Sequence, residues 1–189
     1  MHVLERDQAM REANRRVVDY TWRHDIVRHW GQREHASADA MSLDVSRHLW
    51  NARTDPRRRT PSIGIYTHVS EQWAVIYDQP IVLGRRQAGA AIEGALRQEV
   101  VDDLKRVSVD THGYTEIIFA LCYLLGYYFM PRIRDLKDQQ LYRVERNVNY
   151  GVFTPLLNKT ADLDIVEEQW DEMIHVATSL KERTAPAHV

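Results

Sequence analysis

The sequence predicts an α/β domain in which helices pack on a mixed sheet. Two observations carry that expectation. Short runs alternate apolar and polar residues at the strand period, as in "SIGIYTHVS" and "WAVIYD". Elsewhere apolar residues recur at i, i+3, i+4 and i+7, as at Ala88, Ala91, Ile92, Ala95 and Leu96. At 189 residues the chain is long enough for one domain with a sizeable core.

Each element has its own signal. Residues 5–30 read as a helix with Met10, Ala13, Val17 and Thr21 on one face and Gly31 as its stop. "ASADAMSL" is a weak strand signal carrying Asp39, and "NARTDPRRRTP" is a polar, proline-punctuated loop. In "SIGIYTHVS", Ile63, Ile65, Thr67 and Val69 share a side. Ser70-Glu71-Gln72 then turns the chain into "WAVIYD", which makes a hairpin. A helix over 86–104 leads to Val107 and Val109, a short strand running into Asp110. Residues 114–125 predict a largely buried helix closed by Gly126, and Pro131 places the β-rich "YYFMPRI" at a sheet edge. A last helix over 162–182 puts Ile165, Gln169, Trp170, Met173, Ala177 and Leu180 on one side, with Trp170 as a core anchor. Its acidic start and the late Lys181 and Arg183 suit the helix dipole. This element order is also that of the ribonuclease H-like fold, in which carboxylates at strand ends hold metal ions. That is analogy at the level of the fold.

The composition, 44% hydrophobic and 28% charged, is that of a globular protein. A net charge of −2 does not announce a nucleic-acid partner, yet arginines cluster near the start and again at Arg53, Arg57, Arg58 and Arg59. Such asymmetry permits a basic face without a basic total. One cysteine, Cys122, excludes a disulfide framework and suits a reducing cytoplasm. The arginine-rich start is not a secretory signal, and the apolar stretch 117–130 is too short to span a bilayer. No membrane partner is therefore expected.

Asp39 and Asp110 are the first candidates for chemistry. Carboxylates from two strands can hold Mg²⁺ through hard oxygen ligands, and two such ions serve phosphoryl transfer. The bland readings are that Asp39 sits in a turn and that Asp110 caps the helix starting near Tyr114. The loop Arg53, Arg57, Arg58, Arg59 is a candidate for DNA phosphates or a solvated loop. His112 is a phosphate contact or a polar loop residue. Arg132 and Arg134 approach a phosphate or pair with Asp135 and Asp138. No glycine-rich phosphate loop and no convincing histidine set is present.

Several stretches together resemble the catalytic region of the replicative transposases of the Tn-three family. They are "ASADAMSL", "GIYTHVSEQWAVIYDQPIVLG", "VSVDTHGYTEIIFALCYLLGYYFMPRIRDLKDQQLYRV", "YGVFTPLLNK" and "IVEEQWDEMIHVATSLKERTAPAHV", preceded by "ANRRVVDYTWRHDIVRHWG". The resemblance covers nearly the whole chain. It implies a helical segment at 1–35 and a ribonuclease H-like core over 36–189, with an Asp, Asp, Glu triad and a two-ion Mg²⁺ site. It also implies nicking of transposon ends, joining of the freed 3′ hydroxyls to target DNA, action as a homo-oligomer in the full-length protein, and a bacterial, nucleoid-associated setting. Asp39 matches the first carboxylate and Asp110 the second. Ala40 stands where the family usually has Gly, and the triad's Glu lies beyond the last matched segment. The expectation is thus a catalytic domain truncated before its third carboxylate, with little or no strand-transfer activity in isolation. Two readings compete. One is a non-catalytic remnant that binds DNA or inhibits an intact transposase. The other is a complete nuclease drawing a third carboxylate from Asp44 or Glu116.

Overall fold

The computed structural model describes residues 2–187, with side chains from residue 8 onward except that of Leu136. Helix α1 spans His2–Thr21 and a 3₁₀ helix follows over Asp25–Trp30. Strands β1 (His35–Asp44), β2 (Arg53–Thr54), β3 (Pro61–Ser70) and β4 (Val75–Ile81) precede α2 (Ala88–Arg97) and β5 (Arg106–Val109). Then come α3 (Glu116–Leu124) and β6 (Tyr128–Pro131), followed by β7 (Tyr142–Arg143), β8 (Lys159–Thr160), α4 (Leu163–Glu168) and α5 (Trp170–Lys181). The mixed sheet runs β3-β1-β5-β6, with β2 and β4 sharing the outer edge of β3. Strand β3 is antiparallel to β1, whereas β5 and β6 run parallel to it. β6 is an edge strand, as Pro131 requires. β7 and β8 form a separate two-stranded sheet.

The parallel part of the sheet is set at one residue. The Glu34 carbonyl accepts the amides of both Lys105 (2.8 Å) and Arg106 (2.9 Å), and the Lys105 ammonium meets the Glu34 carboxylate at 2.6 Å. From there Ala36 faces Val107 and Ala38 faces Val109, all four buried. Val18 of α1, Trp22 just past its end, Val27, and Ala90, Ala91 and Ala95 of α2 join the same cluster.

The covered face of β3 carries Ser62, Gly64, Tyr66, His68 and Ser70, while Ile63, Ile65, Thr67 and Val69 lie half-buried on the other side. The small residues of α2 explain this choice. They let the helix come so close that a Cβ at Gly94 would overlap the His68 imidazole. Polar strand side chains then bond the helix backbone: Gln79 donates to the Ala90 carbonyl at 2.7 Å and His68 Nε2 lies 2.9 Å from that of Ala91.

The structure corrects several element expectations. Helix α1 stops at Thr21, and the core takes Val18 of the helix and Trp22 of the turn after it, while Met10 and Val17 of the expected face stay exposed. α2 ends at Arg97, where the Gln98 side chain accepts the amides of Val100 (3.0 Å) and Val101 (2.7 Å) and turns the chain. α3 buries only Ile118 and Cys122, against Ala88 and Ile92; Ile117 is 70% exposed. The last helix breaks at Gln169 into α4 and α5, and Trp170 is 46% exposed, so Ala177 and Leu180 anchor it instead.

Burial holds the His68 imidazole at a pKa of about 4, below its ordinary 6.5. The neutral ring fits the fold and the unfolded chain takes up the proton. Stability from this group is therefore complete above pH 6.5 and lost as pH falls towards 4, by about 3 kcal/mol. Urea titrations between pH 7 and pH 4 should show that loss. The His68→Gln variant, which cannot titrate, should lack this component.

Candidate metal centre and basic loop

Asp39 and Asp110 are brought together by strand pairing. Ala38 and Val109 are the last registered pair of β1 and β5, so the two aspartates follow it side by side, with Cα atoms about 5 Å apart. Asp39 is exposed and faces Thr67 across β3; Asp110 is half-buried. The Asp110 Oδ1 accepts the amides of His112 (2.9 Å) and Gly113 (3.1 Å), capping a 3₁₀ turn over Thr111–Gly113. Helix α3 has its own cap in Thr115. The Asp39 Oδ1 accepts the Ala40 amide at 2.7 Å. Each carboxylate thus has one oxygen held by backbone, and its Oδ2 is without a protein donor among the described residues.

Beneath this pair lies Tyr66, which the sequence reading missed. Its side chain is 1% exposed and its hydroxyl has no hydrogen-bond partner among the described residues. Burial, then the Asp110 and Asp39 charges, push its pKa well above the usual phenol range. Gly113 makes the approach possible: a Cβ there would stand 2.8 Å from Val109 Cβ and 3.2 Å from the Tyr66 hydroxyl. The available signal was register, since Tyr66 faces Ala40, the neighbour of Asp39.

The other candidates separate. Asp44 does not join the pair: its Oδ1 accepts the hydroxyls of Thr60 (2.8 Å) and Ser62 (3.0 Å), which hold its carboxyl below the usual range, and it pairs with Arg58 at 3.1 Å. Glu116 is exposed on the first turn of α3. Among the described residues no three His, Cys, Asp or Glu side chains gather as a metal set. Cys122 is buried, with its thiol pushed up to about 12 by burial.

Within the basic loop, Arg58 is an internal strut. It pairs with Asp44 and with buried Asp55 (3.3 Å), and it donates to the Ser42 carbonyl at 2.7 Å and to the Ser42 hydroxyl. Asp55 also accepts the amides of Arg57 (2.8 Å) and Arg58 (3.2 Å). The Ser42 hydroxyl, then these amides, hold its carboxyl far below the usual range. Arg53 is exposed and donates to the carbonyls of Trp50 (3.2 Å) and Ala52 (2.8 Å); Arg57 and Arg59 are exposed. His112 is exposed beside Asp110. The Arg132 amide donates to the Val109 carbonyl at 2.8 Å, which ties it to the end of β5. Neither Arg132 nor Arg134 pairs with Asp135 or Asp138. No helix among the described residues is long and apolar enough to cross a membrane.

The family model described as "Tn3 transposase DDE domain" matches residues 1–189. The chain is 38% identical to the transposase for insertion sequence element IS1071 in transposon Tn5271 from Comamonas testosteroni, over 96% of this chain and 19% of that protein. It is 34% identical to the transposase for transposon gamma-delta from Escherichia coli (strain K12), over 93% and 18%. The chain therefore spans about a fifth of the length of these relatives. Among solved structures, the piggyBac transposase synaptic complex with hairpin DNA matches with a TM-score of 0.40 and 12% identity, over 59% of this chain and 27% of that one.

The unbonded Tyr66 hydroxyl predicts that Tyr66→Phe stabilises the metal-free chain, by about 1 kcal/mol. Chemical denaturation checks this. A less stable variant would mean that the hydroxyl is bonded in solution.

Proposed function

Because the chain belongs to the Tn3 transposase DDE domain family, we propose that it is the part of a DNA transposase that presents two metal-binding carboxylates, Asp39 and Asp110. The observation that carries this reading is their adjacency on parallel strands β1 and β5. The strand order β4-β3-β1-β5-β6, with only β3 antiparallel to β1 among its neighbours, supports a ribonuclease H-like core over 36–189 with 1–35 as a helical segment docked on it.

The donor set fits Mg²⁺: two hard carboxylates, each with a free oxygen, leave room for water and substrate phosphate to complete the coordination. Asp39 and Asp110 would hold the metal, which when bound would supply activation of the attacking oxygen and stabilisation of the leaving one. The chain itself contributes positioning. The amides of His112 and Gly113 fix Asp110; His112 and Arg132 stand at the end of β5, and with Arg134 they would meet DNA phosphates. In the complete protein, as a homo-oligomer on nucleoid DNA in the cytoplasm, this site would cleave transposon ends and join them to target DNA.

The absence of a third carboxylate beside the pair among the described residues favours one further reading, a non-catalytic piece that binds DNA or inhibits an intact transposase. An assay of transposon-end nicking by this chain in Mg²⁺ separates the two. No nicking is expected, and nicking abolished by Asp110→Asn would overturn the incomplete-site reading. Metal binding is expected regardless. Mg²⁺ should shift the NMR amide signals of His112 and Gly113, and Asp39→Asn/Asp110→Asn should abolish the shifts. A chain indifferent to millimolar Mg²⁺ would sink the metal assignment.

A further inference from the structure

Three arginines gather away from the carboxylate pair. Arg47, Arg53 and Arg59 line one open cleft of about 370 Å³ with Ala52, Thr54 and Pro61. Arg47 comes from the β1–β2 connection and was not among the loop residues singled out by sequence. None of the three guanidiniums forms an ion pair among the described residues. Arg58 does the opposite, spending its charge on Asp44 and Asp55 inside the loop.

That division of labour makes a platform. Asp55 donates its amide to the Thr60 carbonyl at 2.9 Å and accepts the Arg59 amide at 2.7 Å, while Val45 donates to the Pro61 carbonyl at 2.9 Å. These bonds close the loop on itself and on the end of β1. Arg59 takes a left-handed φ of 58°, held by that closure. Arg53 has one end nitrogen tied to two carbonyls, which leaves Nε and the other end nitrogen for a ligand. Three like charges around one cleft repel each other, and an anion with several oxygens relieves the repulsion and accepts forked guanidinium donors.

We infer that this cleft binds backbone phosphates of duplex DNA at a place separate from the reacting phosphate. The inference rests on the DNA-acting reading of the chain. Arg53 faces Ser62 and Ser62 faces Asp44, five residues beyond Asp39 on β1. Ideal strand spacings put that about 17 Å along the sheet and about 10 Å across it, so the Cα atoms of Arg53 and Asp39 lie about 20 Å apart. One phosphate cannot touch both. The cleft therefore grips a flanking stretch of backbone and positions the duplex without reading its sequence.

The test is the salt dependence of binding of a fluorescent duplex to the full 189-residue chain, followed by anisotropy. The triple variant Arg47→Gln/Arg53→Gln/Arg59→Gln should lose at least about tenfold in affinity at low salt. Its log-affinity against log-salt slope should shrink by about 0.9 for each phosphate contact removed. A wild-type chain that binds with the same slope as the triple variant would overturn the cleft and leave the DNA-acting reading standing. A wild-type chain that binds no duplex at low salt would overturn both. Should the triple variant melt early, the single Arg47→Gln and Arg59→Gln variants carry the test, because neither side chain makes a hydrogen bond among the described residues. Each should lower the slope by about 0.9.

Discussion

The parallel pairing of β1 with β5 is the constraint on which the rest depends. It starts where one carbonyl, that of Glu34, takes two amides, and it runs four residues to Ala38 and Val109. On the covered side those residues build the core. One step further the same register sets two carboxylates side by side, Asp39 within β1 and Asp110 just past the end of β5. A slip of one residue would send the valines to the open side and part the aspartates. Core and candidate site are thus one geometric fact seen from two sides of a sheet.

The neighbourhood of the pair follows from that fact. Small side chains on α2 allow the helix to lie against β3, which leaves the covered face of β3 to polar and aromatic groups. His68 and Tyr66 are buried in consequence, one bonded to the helix backbone and the other with a hydroxyl that has no partner among the described residues. Gly113 completes the arrangement by allowing the Asp110 turn to close over Tyr66. The aliphatic residues of opposite parity, Ile63, Ile65 and Met41 among them, stay partly or largely exposed among the described residues.

Charge is allocated in the same economical way. Asp44 and Asp55 hold Arg58 and close the basic loop, so neither carboxylate is available beside Asp39. Arginines that look equivalent in "NARTDPRRRTP" therefore do different work, according to whether a carboxylate is folded against them.

What the sequence by itself determined was local. Alternation in β3 and β4, the helical stripe of α2, the edge position of "YYFMPRI" and Asp110 at a strand end were all legible, because each depends on a period or a proline within a few residues. The family was legible too, through several stretches in order. What only the tertiary structure decided was which face each period turns inward. Val18 and Trp22 replace the Met10–Val17 face, Trp170 stays exposed, and the polar side of β3 is the covered one. Periodicity marks a stripe but not its partner, and the partner is chosen by close packing between segments distant in the chain. The same holds for the site. Asp39 and Asp110 were visible as residues, but their adjacency, Tyr66 beneath them, and the separation of Arg58 from Arg47, Arg53 and Arg59 exist only once the strands have paired.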